Sequence, residues 1–132
     1  MSLPQKEPGA HKTILIVHSD VDMCNIIGEE LKSRGFGVVI AQDGEVALTL
    51  FELYKDQIVL VLLDIILPKK DGFIVLKELK DIDLSLPVVM LTNLDGSEDI
   101  AKSKEAGAID YIIRSKNSPQ EIAEKVEKVL NN

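Results

Sequence analysis

Residues 58–72 of the chain read IVLVLLDIILPKKDG. The first six are consecutive apolar residues, half of them β-branched, and such a run is typical of a strand buried on both faces of a parallel sheet. The strand ends at the carboxylate of Asp64, and because a charge is costly in apolar surroundings, we expect it at the mouth of the sheet. Pro68 then turns the chain, and Asp71-Gly72 provides a helix start. Ligands of open α/β sheets bind outside the carboxyl ends of the strands, so Asp64 is the first candidate functional residue.

Length and composition indicate one globular domain. With 132 residues the chain can form a single core, and its net charge of −7 argues against unaided nucleic-acid binding, which needs a basic surface. The single cysteine, Cys24, excludes an internal disulfide and is typical of a reducing compartment, and no apolar stretch reaches transmembrane length. We therefore predict a cytoplasmic protein without membrane contact. Residues 1–11 contain two prolines and no periodicity and are predicted to be disordered, so the folded domain is expected over residues 12–130.

Hydrophobic periodicity predicts five strands that alternate with five helices. The predicted strands cover residues 13–17, 36–41, 58–63, 87–91 and 109–113, and the third and fourth helices are expected over residues 72–80 and 97–106. Ser19, three residues before Asp22, is predicted to cap the first helix, and the sequence SPQE at 118–121 predicts a capped last helix. This alternation predicts an α/β fold, a doubly wound five-stranded parallel sheet of order 2-1-3-4-5.

The predicted sheet gathers polar residues from four strands at one edge. Besides Asp64 they are His18, Ser19, Asp20, Thr92 and Arg114. Since the first and third strands flank the topological switch point, we expect these side chains around Asp64. Simpler interpretations exist for two of them, because Thr92 can serve packing alone and Arg114 can form a surface ion pair.

Three segments resemble those of bacterial response-regulator receiver domains, and the resemblance covers residues 12–130. Residues 61–73, VLLDIILPKKDGF, are similar to the family's phospho-acceptor strand, proline turn and helix start. Residues 87–92, PVVMLT, resemble the strand that delivers the switch hydroxyl, and residues 107–114, GAIDYIIR, resemble the strand with the switch aromatic and the basic residue. The resemblance implies the flavodoxin-like receiver fold.

The resemblance also implies phosphoryl transfer from a histidine kinase to Asp64 in a two-component phosphorelay. Thr92 would hydrogen-bond a phosphoryl oxygen, Arg114 would pair with the phosphoryl group, and Tyr111, unless it is only a half-buried core aromatic, would turn inward. The switch would present the fourth helix, fifth strand and fifth helix to a downstream protein, and the same surface is open to a homodimer. No enzyme activity is expected beyond the domain's own phosphotransfer and autodephosphorylation.

The chain departs from the family pattern where a divalent cation is normally held. The family places two adjacent acidic residues after the first strand, whereas this chain has His18 and Ser19. Mg2+ prefers oxygen ligands in octahedral geometry, so an imidazole and a hydroxyl are weak replacements. The resemblance therefore implies a weakened Mg2+ site at Asp64 and Asp20, although Asp20 also lies where it can serve the helix start. Arg114 replaces the family's lysine and keeps its charge on a more rigid group.

Other functions compete with that of a phosphorylated receiver. Loss of both acidic neighbours favours a pseudo-receiver, which binds proteins without phosphorylation, whereas Asp64, Thr92 and Arg114 favour the phosphorylated form. A flavin carrier needs a hydroxyl- and glycine-rich loop after its first strand, and the SDVD sequence at 19–22 carries too much negative charge. A phosphatase of the haloacid-dehalogenase type would have a second aspartate where this chain has Ile66. We therefore predict a receiver that is phosphorylated on Asp64.

Overall fold

The computed structural model describes residues 12–131, which form five strands and five α-helices. The strands are β1 (Thr13–Val17), β2 (Gly37–Ala41), β3 (Ile58–Leu63), β4 (Val88–Thr92) and β5 (Asp110–Ile113). The helices are α1 (Val21–Ser33), α2 (Gly44–Tyr54), α3 (Gly72–Ile82), α4 (Ser97–Glu105) and α5 (Pro119–Leu130). Our predictions of a disordered segment and of the domain's first boundary fall on residues 1–11, which lie outside the described residues, and they stay predictions.

All neighbouring strands are parallel, and their order across the sheet is β2-β1-β3-β4-β5. This order confirms the predicted doubly wound α/β class. Val17, the last residue of β1, pairs with Leu63, the last residue of β3. His18 and Asp64 directly follow these two strands and therefore lie side by side at the switch point.

The strands alternate their side chains between two apolar cores, one on each face of the sheet. Along β1, Leu15 and Val17 belong to one core, and Ile14 and Ile16 belong to the other. Helices α2 and α3 cover the first core, and helices α1 and α5 cover the second. The central strands are therefore buried on both faces, as their continuous apolar sequences predict.

The first helix begins later than predicted. Its N-cap is Asp20, whose Oδ1 accepts a hydrogen bond from the N–H of Met23 at 3.1 Å, so the prediction of Ser19 as the cap is wrong. The reason is that sheet pairing continues beyond β1, since the N–H of His18 still donates to the carbonyl of Ala41 at 3.0 Å. The chain can turn into the helix only after this bond, which makes Asp20 the residue in the capping position.

The last helix starts as predicted. Ser118 accepts from the N–H of Glu121 at 3.1 Å, the Glu121 carboxylate accepts from the N–H of Ser118 at 2.8 Å, and Pro119 is the first helical residue. Helix α3 continues to Ile82, slightly beyond the prediction, and a short 3₁₀ turn beginning at Arg114 follows β5. Within the described part of the chain, no helix is long and apolar enough to cross a membrane.

Candidate functional site

Asp64 lies at the polar edge formed by the carboxyl ends of the strands. Its backbone N–H donates to the carbonyl of Val17 at 2.9 Å, which fixes the residue beside the end of β1. Its side chain is only 10% exposed. A carboxylate with so little access to water requires hydrogen-bond partners from the protein, and both of its oxygens have one.

The two partners of the carboxylate are a backbone amide and an imidazole. Oδ1 of Asp64 accepts from the N–H of Ile65 at 2.7 Å, and Oδ2 lies 3.1 Å from Nε2 of His18. On the far side of the ring, the N–H of Asp20 donates to Nδ1 of His18 at 3.1 Å. A backbone N–H can only donate, so Nδ1 carries the lone pair and Nε2 carries the proton. His18 is therefore a hydrogen-bond donor to the carboxylate.

The electrostatics of the site agree with a neutral imidazole. Burial lowers the pKa of His18 below its ordinary value, the charge of Arg114 lowers it further, and the carboxylates of Asp64 and Asp20 act in the opposite direction. We expected His18 near Asp64, and the structure has it there, but its role as a hydrogen-bond donor to the carboxylate was not predicted. The strand order alone predicts the proximity, because the residues that follow β1 and β3 are lateral neighbours at the switch point.

The loop between β3 and α3 packs against the backbone of Asp64. The N–H of Gly72 donates to the carbonyl of Ile65 at 2.6 Å. A Cβ at Gly72 would lie 2.6 Å from Cα of Ile65 and closer still to the carbonyl oxygen of Asp64, so only glycine fits there. The preceding turn holds Lys69 at a φ of 73°, a left-handed conformation that is costly for a residue other than glycine. The Asp-Gly motif in the sequence thus fixes the backbone of the candidate acceptor.

Thr92 and Tyr111 are linked through one residue of the loop between β4 and α4. Thr92 is 1% exposed, and its Oγ1 accepts from the N–H of Leu94 at 3.4 Å. The carbonyl of Leu94 accepts from the hydroxyl of Tyr111 at 2.6 Å. Burial raises the pKa of Tyr111, and nearby carboxylates act in the same direction, so the hydroxyl keeps the proton that it donates. Sequence reasoning missed Leu94 because it contributes backbone groups, which no side-chain pattern reports.

Arg114 opens the 3₁₀ turn after β5. The N–H of the next residue, Ser115, donates to Oδ1 of Asn93 at 2.8 Å and ties this turn to the loop after β4. Nε of Arg114 is buried and has no hydrogen-bond partner among the residues that the structure describes. A buried donor without a partner costs about 1–3 kcal/mol. The Nε–H of Arg114 is therefore an unused hydrogen-bond donor in the turn after β5.

Ser19 and Asp20 differ from the buried His18 in their exposure to solvent. Both residues are exposed, and the Asp20 carboxylate caps α1. Across residues 12–131, no three side chains of histidine, cysteine, aspartate or glutamate are arranged to hold a metal ion. The edge thus combines one buried carboxylate, one imidazole donor, one buried hydroxyl and one unpartnered guanidinium nitrogen.

Known proteins share the pattern of this sequence. Residues 14–127 match the family described as the response regulator receiver domain. Over 120 residues the chain is 36% identical to the alkaline phosphatase synthesis transcriptional regulatory protein PhoP of Bacillus subtilis, a match that covers 91% of the chain and 49% of that protein. The chain spans about half the length of the curated relatives it matches.

Solved structures share the fold. The BeF3-activated N-terminal receiver domain of RstA from Klebsiella pneumoniae matches with a TM-score of 0.83 and 30% identity, over 92% of this chain and 100% of that chain. The CheX-CheY-BeF3-Mg2+ complex of Borrelia burgdorferi matches with a TM-score of 0.84 and 26% identity, over 90% of this chain and 89% of that chain. The family match extends from β1 into α5 and includes every candidate site residue. The chain therefore belongs to the receiver domains of two-component response regulators.

Proposed function

We propose that this receiver domain accepts a phosphoryl group from a histidine kinase on Asp64. Receiver domains are regulatory proteins and not conventional enzymes, so the chemistry proposed here is the domain's own phosphorylation and the later hydrolysis of its aspartyl phosphate. One observation carries the proposal. A buried carboxylate, Asp64, and a cation with a buried and unpartnered nitrogen, Arg114, lie at the same edge of the sheet.

The transfer requires a positioned nucleophile and groups that stabilise the charge of the phosphoryl oxygens. An oxygen of Asp64 attacks the phosphorus of a phosphohistidine, the P–N bond breaks, and the leaving imidazole keeps the electron pair. The hydrogen bond from the N–H of Ile65, at 2.7 Å, orients the carboxylate for this attack. Arg114 would donate its free Nε–H to a phosphoryl oxygen, and such charge-assisted hydrogen bonds are the strong ones.

The contacts of Thr92 offer a route from the acceptor to the protein surface. A threonine hydroxyl both donates and accepts, so Thr92 can donate to a phosphoryl oxygen on Asp64 while it accepts from the N–H of Leu94. A shift of Thr92 would move the loop that contains Leu94, and with it the carbonyl that holds the hydroxyl of Tyr111. Phosphorylation would then shift the population between two arrangements of α4, β5 and α5.

The face formed by α4, β5 and α5 is the proposed contact surface for a downstream protein and for a homodimer. Ile109, just before β5, is 58% exposed, and it lies near Asp110 and the cations Lys125 and Lys128 of α5. An apolar residue among charges of both signs suits a protein partner. We place the encounters with this partner and with the kinase in the cytoplasm, and with a net charge of −7 we expect no nucleic-acid contact by this domain.

The Mg2+ site that the resemblance implies does not fit the residues around Asp64. His18 presents an N–H to the carboxylate instead of a lone pair, and Asp20 uses a carboxylate oxygen to cap α1. Mg2+ prefers several oxygen ligands in octahedral geometry. We therefore propose that Mg2+ binds weakly here and that the transfer depends on the chain's own groups.

Intact-mass spectrometry after incubation with acetyl phosphate and Mg2+ tests the proposal. We expect a single phosphoryl adduct on the wild type and none on Asp64→Asn. The matched control is Asp56→Asn, which removes an exposed carboxylate just before β3, at the far end of that strand, and should leave labelling unchanged. If the folded wild type forms no adduct, the pseudo-receiver alternative is favoured, in which the domain binds its partners without phosphorylation.

A further inference from the structure

The His18 ring is held in place on the Asp64 carboxylate. The two side chains are 9% and 10% exposed, and Nε2 lies 3.1 Å from Oδ2. The N–H of Asp20 binds the opposite ring nitrogen, the backbone N–H of His18 pairs with Ala41, and the His18 carbonyl accepts from Sγ of Cys24 at 3.5 Å. A ring anchored on these sides presents its N–H to the acceptor in a fixed direction.

The residue at position 18 also changes the charge balance of the site. With two acidic residues after β1, as in the family pattern, three carboxylates would crowd together and repel one another unless a cation lay among them. Here those positions are His18 and Ser19, and the exposed Asp20 serves the helix start. Asp64 therefore faces a neutral donor, and the charge of Arg114 acts on the same imidazole. This carboxylate does not need a divalent cation to offset acidic neighbours.

We propose that His18 takes the place of a divalent cation at this acceptor and that phosphorylation of Asp64 is independent of Mg2+. The inference rests on the proposed function and specifies its chemical requirement. A cation on Oδ2 would have to compete with the N–H of His18 for that oxygen. The positive charge for the phosphoryl oxygens comes from Arg114 instead, which follows β5 at the same edge of the sheet.

With acetyl phosphate as the donor, the reaction is complete without a metal. An oxygen of Asp64 forms a bond to phosphorus, the bond from phosphorus to the acetyl oxygen breaks, and acetate leaves with the electron pair. One carboxylate is consumed and another is released, so no net proton transfer and no further reactant are required. His18 acts on the reacting carboxylate by donating to it, so replacing His18 with a carboxylate should change the metal requirement, whereas replacing it with another N–H donor should not.

Binding of Mg2+ to the unphosphorylated protein is the first measurement. The amide resonance of Ile65 reports on the site because its N–H binds the Asp64 carboxylate. We expect no saturable shift of this resonance in the wild type at millimolar Mg2+, and at least about tenfold tighter binding by His18→Asp, which adds a carboxylate. The matched control is His18→Gln, which keeps a side-chain N–H and adds no charge, and it should behave like the wild type. Saturable binding of Mg2+ by the wild type at submillimolar concentration would overturn the proposal.

The rate of phosphorylation with EDTA and with Mg2+ is the second measurement. For the wild type, we expect the rate with EDTA and the rate with Mg2+ to agree within about twofold, and the same ratio is expected for His18→Gln. For His18→Asp, the rate with Mg2+ should exceed the rate with EDTA at least about tenfold. A wild-type rate that falls about tenfold or more in EDTA overturns the proposal. Absence of an adduct under every condition counts against the proposed function. In that case the Mg2+ titration still tests whether His18 takes the place of a cation at Asp64. Circular dichroism verifies that each variant folds. If His18→Asp does not fold, the rates of the wild type and of His18→Gln with EDTA and with Mg2+ decide the proposal.

Discussion

Replacement of Gly72 by alanine tests whether the close contact between α3 and the end of β3 holds the acceptor in place. The new Cβ would lie 2.6 Å from Cα of Ile65 and closer still to the carbonyl oxygen of Asp64. Carbon atoms pack best at separations of about 3.5–4.0 Å, so the backbone would have to move by about 1 Å. Neither obstructing atom belongs to a flexible side chain. The movement must therefore separate the start of α3 from the acceptor.

We expect Gly72→Ala to lower the free energy of unfolding by about 3 kcal/mol. Overpacking typically costs about 1–3 kcal/mol, and the upper end applies because backbone atoms block the new methyl group. Loss of the 2.6 Å hydrogen bond from the N–H of Gly72 to the carbonyl of Ile65 adds about 1 kcal/mol. Alanine allows the unfolded chain fewer backbone conformations than glycine does, and this offsets up to about 1 kcal/mol of the loss in stability. The net loss is a large share of the roughly 5–15 kcal/mol that stabilises a domain.

Equilibrium unfolding in urea, followed by circular dichroism, measures this loss. Gly28→Ala is the matched control, since Gly28 lies inside α1 and its Cβ would be 3.4 Å from Cγ1 of Val38, an ordinary contact. Alanine is favoured over glycine inside a helix by about 1 kcal/mol, so this variant should be neutral or slightly more stable than the wild type. If the free energies of unfolding of Gly72→Ala and the wild type differ by less than about 1 kcal/mol, the contact at Gly72 is not the constraint that we infer.

Two further predictions concern buried groups near the site. Cys24 is fully buried, and burial above all raises its pKa to about 11, so Ellman's reagent should label the folded chain only as fast as it unfolds. Rapid labelling of the folded protein at about pH 8 would contradict this expectation. Tyr111→Phe removes the hydroxyl that donates to the Leu94 carbonyl, and the free energy of unfolding should fall by about 1 kcal/mol. Urea unfolding measures that change, and an unaltered midpoint would show that the bond contributes nothing.

The sheet and its order were predictable because local signals and the global fold agree. The apolar residues of β3 indicated a strand buried on both faces, and each of its faces contributes to a separate core. Capping signals were equally direct at the starts of α3 and α5. Asp71 and Ser118 each accept a hydrogen bond from an N–H in the first turn of the following helix.

The start of α1 was mispredicted because adjacent polar residues were both able to cap it. Ser19 and Asp20 have suitable side chains, and the decision depends on where β1 stops pairing with β2. That point is set by the hydrogen bond between the N–H of His18 and the carbonyl of Ala41, which is a tertiary contact. Sequence periodicity reports which residues are apolar, but it does not report the last bond of a strand.

The same limit explains why His18 could be predicted to lie near Asp64 but not to donate a hydrogen bond to its carboxylate. Its role depends on the orientation of the ring, which the N–H of Asp20 decides, and on the lateral pairing of β1 with β3. The path proposed for switching uses different strands, since Thr92 ends β4 and Tyr111 belongs to β5. A substitution after β1 can therefore change what the acceptor requires without disturbing the contacts proposed to transmit its state. We infer that the metal requirement and the switching of this domain are separable properties, located on opposite sides of β3.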